Sequence, residues 1–284
     1  PTISATATAA IIDSGDFCML AKNKTAQAAV SIGGNALVQL GCGIASNSNN
    51  AEAMKIFGSA QVDASPLTAV GGITAGSGNL IGDTTTRPYS VEQTDPLAGL
   101  TAPASPAAAP TYNKNVTELP EGTYSNLQLK GSHTMKHNGV YVIDGGSLKI
   151  DAQYSLTGDS VLIILKNGAT LDIQGGSNIN LTAMDSTNAA AKGYTGFGDV
   201  LIFEDKTTAV AGKTSKINGN ATLHLGGAIY TPAQNMQMTG NASPSTQCLL
   251  MIADTITISG NPIIPNSCPS GGGGYGAKVV RLVS

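Results

Sequence analysis

Tryptophan is missing from this 284-residue chain, and the other aromatics, eight tyrosines and four phenylalanines, amount to 4%. A core built on large rings is therefore excluded. The 41% of hydrophobic residues must form it mainly from Ile, Leu, Val and Ala. Charge is scarce as well, at 12% of residues, and only Arg87 and Arg281 are arginine. A nucleic-acid partner is excluded on that ground, because such binders need a phosphate-neutralising basic surface and favour bidentate guanidinium contacts. The net charge of −3 points the same way. No apolar run reaches the roughly 18 residues of a membrane-spanning helix, and the opening Pro1–Ile12 lacks the basic start of a signal peptide.

Glycine, in contrast, is abundant at 35 residues, and it is placed periodically. An apolar residue, one further residue, Gly and then Asn or Ser recur as Ile32-Gly33-Gly34-Asn35, Ile56-Phe57-Gly58-Ser59, Ile143-Asp144-Gly145-Gly146-Ser147 and Ile173-Gln174-Gly175-Gly176-Ser177. The phrase returns as Ile217-Asn218-Gly219-Asn220, Met238-Thr239-Gly240-Asn241 and Ile258-Ser259-Gly260-Asn261. The glycines before Asn or Ser are separated by 24, 88, 30, 43, 21 and 20 residues. Steps of 20 to 30 are the length of a solenoid coil, and 43 fits two coils with one degenerate copy. Flanks such as Ser147-Leu148-Lys149-Ile150 alternate like half-buried strands. Apolar runs such as Val161–Leu165, Val200–Phe203 and Leu249–Ile252 suit strands buried on both sides. Gly-Asn and Gly-Ser would turn the corners, since both residue types accept positive φ. The alternative, an antiparallel sandwich, would place hairpins every 8 to 12 residues. The period favours an all-β, right-handed parallel β-helix over that sandwich, with a short helix expected only around Thr25–Val30.

The four cysteines follow the same spacing. Cys18 and Cys42 lie 24 residues apart, and Cys248 and Cys268 lie 20 apart. Equivalent positions on neighbouring coils are about 4.8 Å apart, a separation a disulfide accepts. The spacing thus predicts Cys18–Cys42 and Cys248–Cys268 bridges and an oxidising, extracytoplasmic location: periplasm, cell surface or pilus. Zinc is the competing use, but there is no CxxC and no His beside either pair. Residues 1–81 carry the first coils, and residues 82–115 hold five prolines. That proline-rich stretch is either a linker between two pieces or an excursion along the outside of one solenoid. Residues 116–284 carry the main β-helix.

The residues also resemble a known family. Ile3–Ala7, Ser31–Ala36 followed by Gly41-Cys42-Gly43, Asp95–Leu100, Gly139–Gly146, and Gly227–Pro232 leading into Cys248 are similar, in order and content, to TadG-like proteins of tight-adherence (Flp/Tad) pilus systems. The resemblance implies a bacterial envelope protein serving pilus assembly or presentation, with pilus or envelope assembly proteins as partners. It implies attachment to a membrane only through an N-terminal anchor absent from this chain. It supplies no catalytic residue.

Catalytic chemistry finds little support in the residues themselves. Aligning Gly146 with Gly176 places Asp144 beside Gln174, Asp151 beside Leu181 and Asp159 beside Ala189, so no carboxylate pair of glycosidase type is stacked. Glu204-Asp205 reads as a solvated loop pair, and Asp185, Asp199 and Glu204 could meet only through loops. His133 and His137 fall where Gly131 and Asn138-Gly139 suggest a turn, and His224 reads as a surface position on a strand. No hydrolase elbow, phosphate loop or dinucleotide motif occurs. No catalytic residue, metal or cofactor is expected. The only candidate contacts for a surface polysaccharide are Tyr194 and Phe197, in Gly193–Gly198, where the bland account is a glycine-rich corner closed by two rings. The expectation is a non-enzymatic structural or interaction protein. The alternative is a secreted β-helix that binds or degrades polysaccharide.

Overall fold

The computed structural model describes residues 8–219, 222–241, 243–244, 249–266 and 275–283. Among the described residues nearly all of the regular structure is strand, with one six-residue helix, Ser186–Ala191. The strands stack in parallel as a three-sided solenoid. Each coil contributes one strand to each side, because a few residues of in–out alternation are followed by residues that let the chain turn. Ser147–Ile150 is typical: Leu148 and Ile150 point inward and are buried, while Ser147 and Lys149 face out.

The first face carries ten rungs. In spatial order they are Gly122–Tyr124, Val140–Asp144, the second half of Ser155–Lys166, Val200–Glu204, the middle of Thr222–Gly240, the first half of Leu249–Gly260, the end of Thr8–Ala21, Gly43–Ser46, Leu67–Ala69 and Thr86–Arg87. At about 4.8 Å per rung the stack is roughly 45 Å long. The second face runs from Leu127–Leu129 to Ile73–Ala75. The third face includes Glu118–Leu119, His133–Met135, Asn178–Ala183, Leu37–Leu40 and Gln61–Asp63.

Spatial order differs from chain order. The coil that comes last in the chain stacks directly on the first, through Met19↔Met251 on the first face, Ile32↔Ile258 on the second and Ile264↔Val38 on the third. Residues 116–266 therefore build one stretch of the solenoid and residues 17–87 continue it in the same direction. Thr8–Phe17 also pairs antiparallel with Tyr275–Val283. The proline-rich segment is the return path. It leaves beyond Thr86–Arg87 and runs back along the outside of the first face. At the opposite end it bridges in parallel through Ala108↔Thr123.

The repeat was only partly legible in register. Six of the seven glycine phrases turn the chain from the second face to the third, but Gly145-Gly146 turns it from the first face to the second. The 30-residue step from Gly146 to Gly176 thus joins two different corners. The true coil there is 23 residues, Ile150↔Ile173. Asp151 consequently lies beside Gln174, not Leu181, and Asp159 lies beside Thr182, which donates to it at 2.7 Å. The 43-residue step is one coil, not two, because Ile173 pairs with Ile217 directly. Most of its extra length is the loop of residues 184–199, which contains the helix, and the rest is the turn at residues 205–212. Asp185 caps that helix by accepting from the Asn188 amide at 2.7 Å. The helix expected around Thr25–Val30 does not form. Those residues turn a corner, with Ala28 at φ 49°.

Two apolar layers hold the stack. Inside, columns such as Ile150, Ile173, Ile217, Met238, Ile258, Ile32 and Ile56 are almost fully buried. Each such aliphatic side chain contributes about 1.5–3 kcal/mol. Outside the first face a second column follows the register Val142, Ile164, Phe203, Tyr230, Ile252, Leu20 and Ala45. The chain covers this column itself, with Leu97, Leu100 and Ala102 from the excursion and Met184, Ala189, Tyr194 and Phe197 from the long loop. That cover accounts for the uninterrupted apolar runs of these strands.

Candidate interaction surface

Polar clamps fix the excursion over the first face. Asp95 takes a salt bridge from Lys22 and a hydrogen bond from the Tyr230 hydroxyl at 3.0 Å. Burial and the adjacent carboxylate hold that hydroxyl far above the ordinary tyrosine range. Asn47 and Gln93 exchange two hydrogen bonds of 2.9 Å, and Lys166 donates to the Pro103 carbonyl at 3.1 Å. Tyr112 anchors the far end through the His133 ring at 2.8 Å, and His133 makes a second contact of 2.8 Å to the Val116 carbonyl. His133 therefore lies on a strand, 3% exposed, and not in a turn. Its partners are residues of the chain. His137 is exposed beside Asp159, and His224 is exposed on its strand, as its alternation with Leu223 and Leu225 predicts.

Sequence reasoning misplaced one carboxylate pair. Glu204 and Asp205 are both buried, not solvated. Glu204 follows Leu165 in the interior column, where it accepts from the Ala233 amide at 2.9 Å and from Gln234 Nε2 at 3.0 Å. Gln234 also donates to the Ala169 carbonyl and accepts from Ser215 Oγ at 2.6 Å. Burial, which outweighs these donors, raises the Glu204 pKa above the usual carboxylate range. Asp205 accepts from both the amide and the hydroxyl of Thr207. Of the two other loop carboxylates weighed for chemistry, Asp185 spends both oxygens on Asn188, and Asp199 is exposed at the end of the same loop. These contacts are satisfied within the fold, as structural polar networks are.

Tyr194 and Phe197 are placed in the outer core, 9% and 2% exposed. Phe197 meets Phe203 edge-on at 4.9 Å between centroids, and Phe203 stacks on Tyr230 at 5.0 Å. They pack the cover of the first face and present no open ring surface. Cys18 and Cys42 form the expected disulfide across neighbouring rungs, with Cα atoms 5.7 Å apart. Cys248 and Cys268 lie outside the described residues.

Among the described residues the second and third faces carry no such cover. On the second face three outward columns follow the register. One runs Ser147, Thr170, Thr214, Asn235, Thr255, and the central one runs Gln128, Lys149, Asp172, Lys216, Gln237, Thr257, Ser31, Lys55, Thr74. The third lies at the glycine corner: Asp151, Gln174, Asn218, Thr239, Ser259, Gly33, Phe57. Rungs are tied laterally, as in Thr239 Oγ1 to Asn218 at 3.1 Å and Thr255 Oγ1 to Asn235 at 2.8 Å. An asparagine ladder runs beside them, Asn35 to Asn261 at 2.8 Å and Asn261 to Asn241 at 2.9 Å. A shallow open groove crosses three rungs between Ser147, Thr170, Asp172, Gln174, Lys216 and Asn218. The third face presents Thr134, Thr157, Asn180 and His224 in one row. This row was not named from sequence, although the in–out alternation of its strands carried it.

Comparison of the chain with protein-family models, with curated proteins and with solved structures found no match in any of the three.

Proposed function

We propose that this chain is a non-enzymatic structural and interaction protein of a bacterial Tad/Flp-type pilus system, acting outside the cytoplasm as a minor pilus component or an envelope assembly factor. One observation carries the reading. The chain uses its own excursion to cover one face of the rod and leaves regular ladders of hydroxyl and amide side chains on the others. A rigid rod with repeating polar faces suits docking, whereas its buried carboxylates are consumed by internal hydrogen bonds. The Cys18–Cys42 bridge supports an oxidising compartment. Among the described residues no helix is long and apolar enough to cross a membrane. The envelope assignment itself rests on the resemblance of the stretches around Ser31–Cys42, Asp95–Leu100 and Gly139–Gly146.

The test is fractionation of a tagged copy in its native bacterium. Surface filaments are sheared, and the sheared and envelope fractions are blotted. Recovery with filaments assigns a pilus component, and retention in the envelope with loss of piliation on deletion assigns an assembly factor. A protein that follows neither fraction, with piliation intact on deletion, overturns the reading.

A further inference from the structure

We propose that the glycine-corner edge of the second face is a binding track for a neutral linear polysaccharide, with Phe57 as its stacking platform. The inference deepens the reading of the chain as an extracytoplasmic interaction scaffold by naming what one face takes.

Among the described residues Phe57 is the one large apolar side chain exposed on this face, at 43%. It occupies the same register column as Gln174, Asn218, Thr239 and Ser259. The tip of its ring rests on the neighbouring rung at Gly33, where a Cβ would stand 2.3 Å from Cζ. Glycine at 33 thus lets the ring lie down on the sheet surface instead of projecting from it. Five rungs, roughly 24 Å, separate Phe57 from Gln174, and every intervening outward residue of the column is an amide, a hydroxyl or glycine. A sugar polymer offers this surface what it can use: hydroxyls for the amides and hydroxyls of the ladder, and an apolar ring face for the phenyl group.

Charge argues for an uncharged ligand. Lys55 is paired with Glu52 at 3.0 Å and Lys149 with Asp151 at 3.6 Å. Lys216 faces Asp172 across one rung, and Asp172 is itself held by Gln174. Three lysines and three carboxylates thus balance. A protein partner fits less well, because protein interfaces centre on several buried aromatic and aliphatic anchors and the described residues of this face offer one.

The experiment is affinity electrophoresis and calorimetry of the full chain. The probes are a soluble neutral β-glucan, its two-residue fragment and a polyuronate. We expect binding of the long glucan, little binding of the fragment, and no more than a twofold change between 50 and 500 mM salt. Phe57→Ala and the double variant Gln174→Ala/Asn218→Ala should each weaken binding at least tenfold. Gly33→Ala, which lifts the ring without altering it, should weaken binding too. Urea midpoints keep a folding defect distinct from loss of the track, and Thr157→Ala on the third face serves as the unaffected control. No binding of any polymer, binding of the polyuronate alone, or equal binding by wild type and Phe57→Ala overturns the proposal. Such failure leaves the fractionation result untouched, so the two readings fall separately.

Discussion

Replacing Gly34 by alanine puts a methyl group at the seam where the first coil of the chain meets the last. Gly34 has φ +72°, and a Cβ there would stand 2.5 Å from the Gly260 carbonyl oxygen and 2.8 Å from its nitrogen. Two costs are separable. The left-handed conformation alone costs alanine about 1–2 kcal/mol, offset in part by about 0.4–1 kcal/mol from a stiffer unfolded chain. Gly212 isolates that part, since it has φ +77° and nothing within 4 Å of its Cβ position. At Gly34 the two rungs must also separate. That strains the Asn35 amide to Gly260 carbonyl bond of 2.7 Å and the Asn35–Asn261 side-chain bond of 2.8 Å, each contributing about 1 kcal/mol. Gly34→Ala should thus cost about 3 kcal/mol and Gly212→Ala about 1 kcal/mol or less. Gly58→Ala, whose Cβ meets the Gly34 oxygen at 3.0 Å, should fall between them. Urea unfolding followed by far-ultraviolet circular dichroism, with the slope unchanged, gives the three values. If Gly34→Ala is no worse than Gly212→Ala, residues 17–87 do not stack on residues 116–266 as described.

Leu97→Ala empties the main apolar anchor of the excursion, a side chain 5% exposed over the first face. We expect a loss of about 2 kcal/mol, the low end for buried leucine because a surface strap can settle. Faster proteolytic nicking of residues 98–110 should accompany it, and unchanged urea midpoint and nicking rate would refute a holding role. Glu204→Gln tests the buried network by pH. The folded-state pKa of Glu204 is raised by burial, so its contribution is present below the unfolded pKa and is lost as pH rises through the folded one. Wild type should therefore gain stability relative to Glu204→Gln as pH falls from 8 to 5, read from paired urea midpoints, and parallel profiles would refute the burial argument.

The sequence made the architecture legible through period alone. Coils of 19 to 24 residues, apart from the one that carries the helix loop, together with the glycine corners and the Cys18–Cys42 spacing, express one geometric constraint, that each turn must return above the last. The order of the rungs was not legible. Parallel stacking asks the same alternation of a strand whichever neighbour it receives, so nothing in Val30–Ile32 distinguishes Ile256–Ile258 as its partner. The buried state of Glu204 was hidden for a related reason. Its donors are the Ala233 amide and Gln234, 29 and 30 residues on, and Gln234 in turn accepts from Ser215. Adjacent carboxylates look solvated until those coils are stacked. The helix at Ser186–Ala191 did have a signal, Asp185 ahead of an alanine run, but a helix interrupting a solenoid coil runs against the period that decided the rest.

Which face the rod leaves bare follows from how the chain closes it. Because the first and last coils meet in mid-stack, the segment joining Thr86–Arg87 to the opposite end must run the full length of the rod on its outside. A cover of that length needs an apolar surface to hold it, and the first face supplies one in the column from Val142 to Ala45. The apolar residues available for outward positions are spent there. The second face keeps outward Thr, Ser, Asn, Gln and balanced Lys and Asp, with Phe57 as its exception. An exposed phenyl ring is therefore not what this chain's pattern of cover would leave by default. Gly33 beneath it gives the ring room to lie flat, and the Lys55 ammonium flanks it at 5.9 Å from the centroid, so the ring is held in place on that face while staying 43% exposed.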